Sequence, residues 1–228
     1  MRRFLIMASA AFALAAGGAQ ASTVVGDAKG DLAQAVKADG VTPTAAADAI
    51  LHDYLDLTSF SAGFDGEDFL LTATVADTID LTSDARFVIG IDTGVRTQSA
   101  AFPKDFFFDK TITISLNGAS TSSPGVDFSD LKFDGNRLRV AVSLASLQAF
   151  NPALTPRDFG FNIWSQAVRS TPGANGAIQR TNVDFAPEHG SIAAVPEPAT
   201  WAIMVGGFGL MGGALRQRRT LKIAAIRA

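Results

Sequence analysis

From Tyr54 onward the chain alternates apolar and polar residues with a period of two. In RFVIGID (86–92), Phe87, Ile89 and Ile91 share one face. In TITISL (111–116), Ile112, Ile114 and Leu116 share one face and hydroxyls take the other. RLRVAVSL (137–144) repeats the pattern with Leu138, Val140, Val142 and Leu144. Successive side chains of a strand point to opposite faces, so this period predicts half-buried strands. FLLTATV (69–75) is apolar and β-branched, and stretches 159–164 and 178–185 complete the set. Turn residues separate them: Asp65-Gly66, Asn117-Gly118, Asp134-Gly135-Asn136 and Pro172-Gly173. The Asp134-Gly135-Asn136 junction predicts a hairpin joining 131–133 to 137–144. About eight short strands, each with one apolar face, need two antiparallel sheets packed face to face. The expectation is a mostly β fold, an antiparallel two-sheet β-sandwich spanning 54–194.

The flanks follow other patterns. Residues 22–53 are Ala-rich, with Ala33, Val36 and Ala45 to Leu51 compatible with helix turns. Gly40 and Pro43 interrupt them, so short helices or an ordered loop are expected. Residues 1–21 carry Arg2 and Arg3, an apolar run from Phe4 to Ala16, and the small-x-small site Ala19-Gln20-Ala21. That order predicts a secretory signal helix cleaved before Ser22. Near the other end, Pro196-Glu197-Pro198 precedes the apolar stretch 199–215, and Arg216, Arg218 and Arg219 follow it. The stretch suits a short transmembrane helix. The arginines hold its far end in the cytoplasm, leaving 220–228 as a cytoplasmic tail and the preceding domain outside.

Composition narrows the function. A formal charge of -3 advertises neither nucleic acid nor anionic lipid as a partner. The absence of cysteine excludes disulfide scaffolds, thiol nucleophiles and thiolate metal sites. Seventeen Phe against one Tyr and two Trp predict a phenylalanine-packed interior with few exposed aromatic platforms for sugars.

The tail VPEPATWAIMVGGFGLMGGALRQRR (195–219) closely resembles the PEP-CTERM sorting signal in its PEPxxWA form. The matching residues are Pro196, Glu197, Pro198, Trp201, Ala202, the glycine-rich span and the arginines 216, 218 and 219. The resemblance implies export from a Gram-negative cell and a transient inner-membrane anchor. It also implies processing by an exosortase near Pro-Glu-Pro and a producer that makes extracellular polysaccharide. The extra residues 220–228 depart from the usual pattern, in which the chain stops after the arginines. A second resemblance rests on Gly26-Asp27, Phe64-Asp65-Gly66, Ile91-Asp92-Thr93 and Asp184-Phe185-Ala186-Pro187-Glu188. These look like jelly-roll sandwiches of the carbohydrate-binding-module-9 and DOMON-like type, which implies a fold and not a ligand.

Candidate chemistry is sparse. Asp92-Thr93-Gly94 closes an apolar strand and resembles the loop of aspartic proteases. That chemistry needs two carboxylates sharing a proton, so a single copy would have to act in a dimer. A strand-ending turn is the ordinary alternative. Ser129 and Lys132 have the Ser-x-x-Lys spacing but lack its companion motifs. His52 and His189 belong to no metal or triad motif. Acidic residues gather at turns: Asp27 with Asp31; Asp65, Glu67 and Asp68; Asp184 with Glu188. Of these, Asp65, Glu67 and Asp68 are the group to test for calcium, solvated turn residues being the alternative. Trp164 is either a sugar-stacking surface or core, and Arg137 with Arg139 share a face open to acidic polysaccharide. The sequence therefore favours a non-enzymatic surface or matrix protein with no catalytic residue and no cofactor beyond this calcium candidate. Its expected partners are exosortase, the export machinery, the inner membrane and polysaccharide. A surface hydrolase using Asp92 in a dimer and an adhesive module without glycan binding are the rivals.

Overall fold

The computed structural model describes residues 21–32, 51–95, 102, 105–168, 180–188 and 190–194. The described chain is mostly β and forms two antiparallel sheets. In chain order the strands begin with β1 (Ala21–Gly26), β2 (Leu57–Phe64), β3 (Asp68–Val75) and β4 (Arg86–Asp92). They continue with β5 (Lys110–Ser115), β6 (Thr121–Ser122), β7 (Phe128–Asp134) and β8 (Arg137–Ser143). The last are β9 (Gly160–Val168), β10 (Arg180–Ala186) and β11 (Ile192–Ala193). A 3-10 turn, Asp53–Leu55, leads into β2, and a short helix α1 (Leu144–Gln148) follows β8.

The first sheet has the order β1-β2-β3-β8-β7, the second β10-β9-β4-β5-β6 with β11 beside β9. The chain leaves the first sheet for the second at β3→β4 and again at β8→β9. The partners β3·β8 and β4·β9 are therefore brought together from far apart in sequence. Inward side chains of both sheets share one apolar core, including Phe60, Phe69 and Val142 from one side and Phe87, Ile112 and Phe161 from the other. The Phe69 ring touches Phe159 at 5.5 Å and Phe161 at 4.9 Å between ring centres. Burying each such side chain contributes about 1.5–3 kcal/mol relative to exposure, which is how a chain without disulfides holds together.

The two sheets differ on their outer faces. Burial alternates strictly along β3, and Arg137 and Arg139 of β8 reach solvent. Nearly every residue of β4 and β9 is buried. Val88, Trp164 and Phe185 on the outer face of the second sheet pack with Phe106 and with the partly buried Phe102 and Phe108. Gly90 is required there, because an added Cβ would lie 2.2 Å from Asn162 Oδ1 and 3.0 Å from the Phe108 Cβ.

The strand expected over 86–92 forms with those bounds, and the 131–133/137–144 hairpin forms as β7–β8. Its second strand stops at Ser143, not Leu144. The Ser143 side chain accepts a hydrogen bond from Ser146 N and caps α1, which turns Leu144 into helix. Strands β1, β2, β6 and β11 were not singled out by pattern. Of the signal helix expected over 1–21, residues 1–20 lie outside the described residues, as do 33–50 of the Ala-rich stretch 22–53, the Pro172-Gly173 turn and the span 199–215. Ala21 and the start of the Ala-rich stretch belong to β1. Among the described residues no helix is long and apolar enough to cross a membrane.

Candidate functional site

Five carboxylates converge where the β1 edge of one sheet faces the β10 edge of the other. Asp27 and Asp31 follow β1, Asp56 sits between the 3-10 turn and β2, Asp184 lies in β10, and Glu188 follows it. Ligand oxygens of Asp27, Asp31 and Glu188 lie within 4.8 Å of one another, as do those of Asp31, Asp56 and Asp184. Asp31 belongs to both groups. Local geometry explains how they are held. Asp27 N–H donates to Thr58 O, pinning the end of β1 to β2. Asp56 Oδ2 accepts from Gly30 N at 2.8 Å. Asp184 follows a register shift in β10, and its oxygens accept from Leu57 N and Phe185 N. That carboxylate therefore bridges the two sheets.

The electrostatics are one-sided. Asp56 and Asp184 are each only 2% exposed. Asp27 Oδ2, Asp31 Oδ1 and Asp56 Oδ1 are buried and accept no hydrogen bond. Burial, reinforced by Asp31 and opposed by Ala28 N–H, lifts Asp27 to about 7. Burial first and then Asp27 lift Asp184 to about 9, against the pull of the Leu57 and Phe185 N–H groups. Burial also raises Asp31, as does a hydrogen bond shared between the Asp31 and Glu188 carboxyls, and burial raises Asp56. Lys29 lowers Asp56 only weakly, and no described Lys or Arg forms an ion pair with any of the five. The donors are all carboxylate oxygens, the set that hard cations take.

A second feature lies on the solvated face of the first sheet. Small residues Ser61, Gly63 and Ala141, with Thr72, floor an open trough of about 450 Å³. Lys132 and Arg139 line it as well. Lys132 Nζ sits 3.6 Å from Asp130 Oδ1, and both side chains are largely exposed. Asp130 itself has φ 51° inside the β7 irregularity between Ser129 and Lys132.

The residues singled out by sequence fare differently. Asp65, Glu67 and Asp68 form a tight turn instead of a convergent ligand set. Asp65 Oδ1 accepts from Glu67 N at 3.0 Å and Asp68 N at 2.8 Å, which holds its carboxyl below the usual range. No group of three close ligand atoms includes any of them among the described residues. Their proximity in sequence reflects turn formation, while Asp27, Asp31, Asp184 and Glu188 meet in space and recruit Asp56. Asp92 is 6% exposed and its Oδ1 accepts from Gly94 N at 2.9 Å. Thr93 N and Oγ1 both donate to Asp109, at 2.7 and 2.8 Å. Ser129 and Lys132 lie on the edge strand β7. His52 is exposed and stacks on Tyr54 at 4.9 Å between ring centres, and His189 lies outside the described residues. Trp164 is 3% exposed within the aromatic cluster, and its Nε1 has no hydrogen-bond partner. Ser22 pairs with Gly63 in β1–β2, one residue after Ala21 at the start of the strand, and Ala19 is outside the described residues.

Ala194, the last described residue, is fully buried. Residues 194–219 match the family model of the PEP-CTERM protein-sorting motif. The match includes Pro196, Glu197, Pro198, Trp201, Ala202, Arg216, Arg218 and Arg219, all outside the described residues. The motif implies exosortase-dependent export and sorting to the cell surface of a Gram-negative bacterium. No curated protein matches the chain.

Proposed function

We propose that the chain is a non-enzymatic surface or matrix protein whose β-sandwich, jelly-roll-like in kind, associates with extracellular polysaccharide. The observation that carries the reading is that the sorting motif begins at residue 194, directly after the last described strand, β11. In this reading residues 1–21 are removed on export and the span 199–215 holds an inner-membrane intermediate. Exosortase then acts near Pro196-Glu197-Pro198. Surface fractions analysed by intact mass, with and without the exosortase, test it. The expected mature species begins at Ser22 and has lost the arginines. A surface species with an intact C-terminus in exosortase-bearing cells contradicts the reading.

The trough on the first sheet supports the polysaccharide contact. Its hydroxyl and glycine floor leaves room for a chain, and Arg139 and Lys132 match acidic sugars. Replacing both by Ala should weaken binding to an acidic exopolysaccharide at least tenfold in a pull-down, with retention equal to wild type as the contrary result. Asp92→Asn separates this reading from the hydrolase: surface attachment is unchanged in the first, and peptide cleavage is abolished in the second.

A further inference from the structure

We propose that Asp27, Asp31, Asp56, Asp184 and Glu188 form a calcium site that fastens the two sheets together. The cluster alone is not the argument. Asp56 is 2% exposed, one of its oxygens has no hydrogen-bond donor, and its carboxylate faces Asp31 and Asp184 within ligand distance. Two more orphan oxygens, on Asp27 and Asp31, are buried in the same place. A buried acceptor left unmade is costly, and the unpartnered Asp56 oxygen, on a carboxylate within ligand distance of Asp31 and Asp184, is the place where a positive centre fits. Ligand oxygens 2.3–2.6 Å from calcium span up to roughly 4.6–5.2 Å, which accommodates spacings within 4.8 Å. Magnesium binds at about 2.0–2.1 Å, keeps several waters and takes only one or two carboxylates, so it suits this donor set poorly.

The placement gives the ion a task. Its ligands come from the end of β1, the entry to β2 and the end of β10. Bound calcium would therefore lock the edge between the sheets. It would also anchor the chain on both sides of the domain, after Ser22 and before residue 194. An affinity near 10⁻⁴ M is typical of extracellular modules, so the site would fill after export.

The test uses the full chain in detergent, stripped with EDTA and titrated with calcium chloride or magnesium chloride by calorimetry, with melting followed in parallel. The expected result is saturable calcium binding and a Tm rise of about 5–10 °C at a hundredfold excess over Kd. Asp56→Asn and Asp31→Asn should each weaken calcium binding at least tenfold. Asp31 is only half-buried, so Asp31→Asn serves if Asp56→Asn does not fold. Asp65→Asn should bind calcium like wild type. Absence of a saturable calcium signal, an unchanged Kd in Asp31→Asn, or equal affinity for magnesium would overturn the proposal.

Discussion

Two acidic groups in this protein differ both in sequence and in physics. Asp65, Glu67 and Asp68 stand together in four residues on an exposed turn. There the Asp65 carboxylate is stabilised by two backbone N–H groups and needs nothing further. Asp27, Asp31, Asp56, Asp184 and Glu188 are spread over most of the chain, yet they meet at one edge, with Asp56 and Asp184 buried and the others half-buried. There carboxyl oxygens outnumber N–H donors, and buried oxygens of Asp27, Asp31 and Asp56 accept no N–H. A run of acids in sequence marks a turn, whereas distant acids driven together by the fold mark a site.

The contrast should be widest with pH in calcium-free buffer. The folded state keeps a proton on Asp184 up to about 9 and on Asp27 up to about 7, whereas an unfolded Asp releases it near 3.8. The folded state therefore binds more protons between these values, and stability is lost as pH rises through 7 and 9. The limiting slope is about 1.4 kcal/mol per pH unit for each such proton. The groups facing Asp184 and Asp27 are Asp31, Asp56 and Glu188, with Lys29 the nearby cation at Asp56. Asp65 has the reverse sign: its lowered carboxyl stabilises above 3.8, and that contribution is lost on acidification. Denaturant titrations in EDTA at several pH values check both, and calcium should flatten the alkaline fall.

Asp184→Ala comes next. It removes the acceptor of Leu57 N–H and Phe185 N–H and strips the sheet edge of its bridge. A loss of about 3 kcal/mol in calcium-containing buffer is expected by urea denaturation. Asp65→Ala removes two exposed turn bonds and should cost about 1 kcal/mol, with calcium affinity unchanged. Glu67→Ala, on the same turn, should fall within about 0.5 kcal/mol of wild type in the same assay.

Strands with clean alternation were legible because one face of each meets the core: β4, β5 and β8 follow the period-two reading. β2 is hard to read because the irregularity between Leu57 and Ser59 puts Leu57 out of phase with Phe60, Ala62 and Phe64, leaving a short face with one small residue. The aromatic cover of the second sheet was hidden because Phe102, Phe106 and Phe108 sit in a charged, proline-bearing stretch that reads as loop. Trp164 stands between two roles in the sequence because Phe161 and Ile163 take the opposite face of β9 while its own face carries Asn162 and Gln166, and only the aromatic cover decides that it is buried. Four of the five clustered acids were visible as turn residues, but no local spacing links residue 27 to residue 188. Asp56 offered one signal: a carboxylate between Leu55 and Leu57, both fully buried. Asp184 offered the same one between Val183 and Phe185. A lone acid inside an apolar run is a better pointer to a buried ligand than three acids in a row.

The most direct measurement is the calcium content of the exported protein after equilibrium dialysis against about 1 mM calcium, the upper end of the range for extracellular modules. With a Kd near 10⁻⁴ M, elemental analysis should find close to one calcium per chain in the wild type and in Asp65→Asn, and about half that or less in Asp31→Asn, whose binding is at least tenfold weaker. A folded wild-type protein without calcium, or equal occupancy in all three, would contradict the account.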